Sequence, residues 1–145
     1  MKYIKNKLRI ENIGIENIAK KFDTPAYCYS YSKLKDNIEN FKKNFKSFDP
    51  LICFAIKSNS NINLIKEIKK FDLGADVVSK GELMLALKAG INRNKIVFSG
   101  VGKTEDELKI AINKKILLIN CESESEAKLI NSLARKLKKK VSIGF

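Results

Sequence analysis

The residue whose type and position could do chemistry is Lys57, which closes the run Leu51 to Asn59, LICFAIKSN. An amine at the end of an apolar, strand-like run can act as a nucleophile or form a Schiff base when its surroundings keep it neutral. Alternation along a strand puts Leu51, Cys53, Ala55 and Lys57 on one side and Ile52, Phe54 and Ile56 on the other. The groups beneath the amine are then small, and leave room for a cofactor in front of the nitrogen. On alternation alone a solvated strand-end lysine explains the residue as well, because lysines are abundant throughout this chain.

The remaining chemistry-bearing types narrow the field. Histidine is absent, and Cys28, Cys53 and Cys121 are odd in number, widely spaced and free of any CxxC pair. That pattern argues against a metal site or a disulfide framework and suits a reducing, cytoplasmic home. Gly100-Val101-Gly102-Lys103-Thr104 ends like a phosphate loop, but Val97 stands where that motif needs its first glycine. The dinucleotide pattern GxGxxG fails as well, at Glu105. A turn leading into a helix cap at Thr104 accounts for these glycines.

The elements that must position Lys57 follow from periodicity. Residues 1 to 30 read as a short polar lead, a helix over Ile15 to Phe22, a break at Thr24-Pro25 and an alternating strand, Ala26-Tyr27-Cys28-Tyr29. Leu34, Ile38, Phe41, Phe45 and Phe48 then mark one face of a helix that Asp49-Pro50 ends. After the Leu51 to Lys57 strand a unit repeats. Helix faces at Ile62/Ile65/Ile68/Phe71, Leu83/Ala86/Leu87, Leu108/Ala111/Ile112 and Ala127/Ile130/Leu133/Ala134/Leu137 alternate with strands Gly74 to Ser79, Lys95 to Gly100, Ile116 to Cys121 and Val141 to Phe145. Five strands alternating with helices argue for parallel βαβ units, in a doubly wound sheet or in part of a (β/α)8 barrel.

Ser79 with Glu82, Thr104 with Glu107 and Ser123 with Glu126 each read as a capping box directly after a strand. A closed barrel takes about 250 residues, so as a barrel the 145-residue chain would end slightly past the middle, inside strand-like sequence.

Charge and hydropathy argue against other classes, a nucleic-acid-binding module remaining a distant alternative. The net charge is +13, yet only Arg9, Arg93 and Arg135 are arginines and the lysines are scattered, which resembles coding bias more than a nucleic-acid footprint. The Lys136/Lys138/Lys139/Lys140 cluster falls where a helix should end and cations suit the dipole. No apolar run approaches the ~20 residues of a membrane span, and no signal-peptide core follows Met1.

Several stretches together match a known pattern. TPAYCYS (Thr24 to Ser30), FAIKSNSN (Phe54 to Asn61), GADVVSKGEL (Gly74 to Leu83), AGI (Ala89 to Ile91), KIVFSGVGKTEDEL (Lys95 to Leu108) and NCES (Asn120 to Ser123) occur in the order in which they stand in the diaminopimelate decarboxylases. The chain resembles that family, of the fold-type III, alanine-racemase-like, pyridoxal-phosphate (PLP) enzymes, over nearly its whole length. FSGVGKT in particular resembles this branch rather than the ornithine or arginine branches.

The resemblance implies an α/β fold: a partial (β/α)8 TIM-like barrel, about its first five strands, after a short leading segment. Residues 1–31 would belong to the second, β domain of the full enzyme and residues 32–145 to the amino-terminal part of the PLP-binding barrel. It implies that Lys57 holds PLP as a Schiff base, that Ala55 lies against the cofactor and that Asp76 sits beside the lysine and ring. Asn59 and Glu82 match family positions near the site, although turn and cap readings also explain them.

The implied reaction is decarboxylation of meso-diaminopimelate to L-lysine in the cytoplasm, by an enzyme that is a homodimer at full length, with no nucleic-acid or membrane partner. A histidine over the ring, a glycine-rich phosphate loop, an acidic partner for the pyridine nitrogen and residues from a second subunit are family features not found in residues 1–145, so the isolated chain is expected to be inactive. Other fold-type III decarboxylases, of the ornithine, arginine or carboxynorspermidine type, and a non-catalytic PLP-fold homologue remain alternatives.

Overall fold

A computed structural model describes all of residues 1–145, which fall into two compact units, Met1–Asp49 and Pro50–Phe145. The first unit opens with a three-stranded antiparallel sheet of β1 (Lys2–Ile4), β2 (Lys7–Ile10) and β3 (Ile13–Gly14), in that order. The polar lead expected from the sequence is therefore a small meander. Its turns use Lys5, Asn6 and Glu11 at positive φ; asparagine is among the few side chains that visit this region readily.

Helix α1 covers Ile15–Phe22, as the sequence indicates, and α2 covers Tyr31–Asn44. Ser30 caps α2 by accepting from the Lys33 N–H, and Glu11 reaches the same corner, accepting from the Ser30 hydroxyl at 2.8 Å and the Ser32 N–H at 2.8 Å. Those donors, the Ser32 amide first and Ser30 next, hold the Glu11 carboxyl below its ordinary pKa. Two expectations fail in this unit. Ala26 to Tyr29 form no strand: these residues are exposed and pair with no neighbouring strand, and alternation without a partner makes no ladder. The apolar face of α2 stops at Asn44, with Lys46–Phe48 in a separate 3-10 turn, and no residue of α2 is buried.

The second unit is built on a parallel sheet of β4 (Cys53–Ala55), β5 (Gly74–Val77), β6 (Ile96–Phe98), β7 (Leu118–Asn120) and β8 (Ile143–Gly144). Spatial order equals chain order, β4-β5-β6-β7-β8, and each pair is parallel. A doubly wound sheet reverses its order at a switch point; this one does not, and so takes the winding of a partial barrel, the one of the two alternatives that the resemblance implied. Every strand is shorter than its apolar run, because the ends bend into caps and turns.

Helices α3 (Ile62–Lys70), α4 (Lys80–Ala89), α5 (Glu105–Lys114) and α6 (Glu124–Lys136) connect the strands. Their predicted faces supply the core: Ile65, Ile68, Leu83, Ala86, Leu108, Ala111, Ile112, Ile130 and Leu133 are buried. They meet the sheet face of Ile56, Ala75, Val77, Ile96, Phe98 and Ile119, all buried as well. Removing each large side chain of this layer from water contributes about 1.5–3 kcal/mol.

Asn61, Ser79, Thr104 and Ser123 cap the four helices. Of the three expected capping boxes only Thr104/Glu107 is complete. Glu82 and Glu126 reach one residue further back, accepting from the Val78 N–H at 2.9 Å and the Glu122 N–H at 2.8 Å, so each clamps the strand end rather than the cap residue. Glu107 also accepts from the Lys80 N–H at 2.8 Å, which ties one βα loop to the next. The Thr104 amide first, then that of Lys80, holds its carboxyl below the ordinary value.

Gly74 opens β5 where no side chain fits: a Cβ there would lie 2.2 Å from the Lys95 carbonyl oxygen and 2.8 Å from the Cys53 sulfur. Backbone cannot yield as a flexible side chain can. Gly74→Ala should destabilise the protein by about 3 kcal/mol, read from urea unfolding; a loss near zero would contradict the close β5–β6 approach.

Candidate active site

The strand run that carries Lys57 ends earlier than alternation suggests. Pairing stops at Ala55, and Ile56–Ser58 form a 3-10 turn. The Ser58 hydroxyl donates to the Ala55 carbonyl at 2.7 Å and the Asn59 N–H to the Ile56 carbonyl at 3.0 Å. This turn buries Ile56 completely and leaves Lys57 exposed at the carboxyl end of β4. Lys57 therefore does not share a strand face with Ala55 and Cys53. The tight, partly desolvated setting expected for it is not provided by residues 1–145; its ammonium has no ion pair or hydrogen bond there.

The sheet face opposite the helices carries the other polar groups. Register places Ala55 beside Asp76, Asp76 beside Val97 and Val97 beside Leu118. One step further along lie Ser99, just past β6, and Asn120, which ends β7. The Ser99 hydroxyl donates to Asp76 Oδ1 at 2.6 Å and accepts from Asn120 Nδ2 at 3.0 Å. These half-buried side chains make a hydrogen-bonded row across three strands. Gly144 makes room for it, since a Cβ at that position would stand 2.8 Å from Asn120 Oδ1. Cys53 lies lower on the same face; burial first, and the negative charge of Asp76 second, push its thiol pKa up.

Of the residues singled out from sequence, Ala55 and Asp76 are thus neighbours at the strand ends, next to the turn that carries Lys57. The Asn59 side chain is engaged locally, its Oδ1 accepting from the Asn61 N–H at 3.0 Å, and Glu82 holds Val78. Ser99 and Asn120 were not singled out, though each stands within a quoted motif; serine and asparagine are too common at strand ends to be distinctive without register.

The model of the family described as "Pyridoxal-dependent decarboxylase, pyridoxal binding domain" matches residues 31–144. This chain belongs to that family. It is 44% identical, over all 145 residues and 34% of the relative's length, to diaminopimelate decarboxylase of Aquifex aeolicus (strain VF5). The crystal structure of diaminopimelate decarboxylase from Helicobacter pylori complexed with L-lysine superposes with a TM-score of 0.85 at 42% identity, covering 88% of this chain and 32% of that one. That of the M. jannaschii enzyme in co-complex with L-lysine superposes with a TM-score of 0.94 at 32% identity, covering 97% and 34%. The chain therefore spans about a third of the length of the relatives it matches. No helix is long and apolar enough to cross a membrane.

The charge of Asp76 on Cys53 is open to direct test. Asp76→Asn removes the second cause of the raised thiol pKa and leaves burial, so alkylation of Cys53 by iodoacetamide at pH 8.5 should quicken about twofold. Exposed Cys28 serves as the internal standard for peptide mass spectrometry; an unchanged or slower rate at Cys53 would contradict the geometry.

Proposed function

We propose that this chain is part of a PLP-dependent diaminopimelate decarboxylase, a carbon–carbon lyase that converts meso-diaminopimelate to L-lysine. The observation that carries the reading is the 44% identity with such an enzyme along all 145 residues. The relatives' crystal structures with L-lysine fit lysine as the product.

The residues present suit the cofactor. Lys57 offers an amine free of competing charge, at the carboxyl end of a parallel strand, where barrel enzymes gather their reacting groups. Ala55 and Gly74 keep the neighbouring sheet face low, and Asp76 supplies a single carboxylate whose orientation the Ser99 hydroxyl restrains. PLP, when bound, supplies an electron sink for the pair left by the departing carboxylate.

Lys57 would hold the cofactor covalently, yield it to the substrate amine and then move protons at the α-carbon. The bond to one carboxylate breaks, CO2 leaves and a proton takes its place. Asp76 would orient the Lys57 amine and the ring, and Ala55 would lie against the ring. Asn59 and Glu82 would act at one remove, through the turn and the strand end that they brace. Residues 1–31 belong, on this reading, with a β domain and 32–145 with the barrel. The working enzyme would be a cytoplasmic homodimer with no nucleic-acid partner, its phosphate loop and second-subunit groups lying outside residues 1–145.

Lys57 is tested by incubating the intact polypeptide that carries this chain with PLP, reducing with borohydride and mapping the adduct by mass spectrometry. A pyridoxyl group is expected on Lys57, with the absorption band of the bound cofactor lost in Lys57→Ala. Labelling of a different lysine, or an unaltered band in that variant, sinks the assignment.

A further inference from the structure

Lys103, the lysine of the false phosphate loop, has a side chain only 1% exposed, and Glu126, its partner, 10%. The ammonium donates to both Glu126 carboxylate oxygens, at 3.1 and 3.2 Å, and to the Gly100 carbonyl at 2.7 Å. Glu126 in turn accepts from the Glu122 N–H at 2.8 Å, and the Glu122 carboxylate accepts from the Gly100 N–H at 3.2 Å. The bonds close a ring through Gly100, Lys103, Glu126 and Glu122, joining the loop after β6 to the loop after β7.

The ring holds both backbone groups of Gly100, its N–H through Glu122 and its carbonyl through Lys103. Gly100 has φ +101°, where most side chains are strained, and these contacts hold its backbone in that conformation. Ser99 immediately precedes Gly100, and Asn120 stands two residues before Glu122. The two donors of the row that ends on Asp76 are thus set by the two loops the ring joins. A buried ion pair is a poor device for stability alone, because desolvation offsets most of its attraction. Its value here is to fix a geometry.

We propose that Lys103 is a positioning residue, whose buried ammonium, through Glu126, Glu122 and Gly100, keeps the Ser99 hydroxyl on the Asp76 carboxylate and so prepares the strand-end face for the cofactor. The inference rests on the proposed function above. Lys103 itself touches neither substrate nor cofactor: its three donor directions are taken by Glu126 and Gly100.

The test uses the intact polypeptide, wild type, Lys103→Met and Glu126→Gln, with two readouts: amide exchange by NMR and PLP affinity by titration. In Lys103→Met the Gly100 and Glu122 amides should exchange about tenfold faster, with the Ile119 amide of the sheet unaffected. PLP should bind about tenfold more weakly. Glu126→Gln, which keeps an acceptor for Glu122, should fall between this variant and wild type, and decides the matter if Lys103→Met does not fold. Unchanged PLP affinity despite faster exchange at Gly100 and Glu122, or exchange quickened equally throughout the sheet, overturns the positioning role. Wild-type protein that fails to take up PLP overturns the proposed function instead, and this inference with it.

Discussion

Every feature of the second unit depends on the sheet being covered on one face only by its own helices. Ile56, Ala75, Val77, Ile96, Phe98 and Ile119 face α3 to α6 and are buried. Because that face supplies the apolar burial, the other is free to carry Asp76, Ser99 and Asn120, groups that a core would tolerate only with full hydrogen bonding. The period of two along each strand separates the two faces residue by residue: Val77 is core while Asp76 joins the polar row, and Ile119 is core while Asn120 joins it.

Parallel winding then gathers the chemistry at one end. All five strands run the same way, so all their carboxyl ends lie on one rim, and β4 to β7 are each followed by a helix start with its own cap. The caps do more than begin helices. Glu107 reaches the preceding βα loop through Lys80, and Glu122 with Lys103 and Glu126 joins the next pair of loops. These bonds run from loop to loop across the rim, so the rim is braced independently of the strand ladders beneath it.

Much of this was legible in the sequence. The α1 bounds, the helix faces of the repeats and the alternation of five strands with helices follow from local pattern, because each helix of the repeats must bury a stripe against the same sheet; the choice of a partial barrel over a doubly wound sheet came from the resemblance. What escaped were features decided by pairing partners and by ends. Ala26 to Tyr29 alternate like a strand but have no neighbour, whereas Lys7 to Ile10, beginning in a polar lead, gain two. Lys57 escaped its strand because burying Ile56 and bonding Ser58 to Ala55 favours a turn over two more residues of ladder. The Asp76–Ser99–Asn120 row needs the register of three strands, and the buried setting of Lys103 needs the meeting of two loops; neither is written in local spacing.

On the proposed function, PLP binds at the carboxyl rim of the helix-free face. Hydrogen–deuterium exchange of the intact protein, with and without PLP, reads this out. Added protection is expected at Lys57 to Asn59, Ser99 to Gly100 and Cys121 to Glu122. Protection confined to the opposite rim, at Asp72 to Leu73, Arg93 to Lys95 and Lys115 to Leu117, or to the outer helix surfaces, would contradict it.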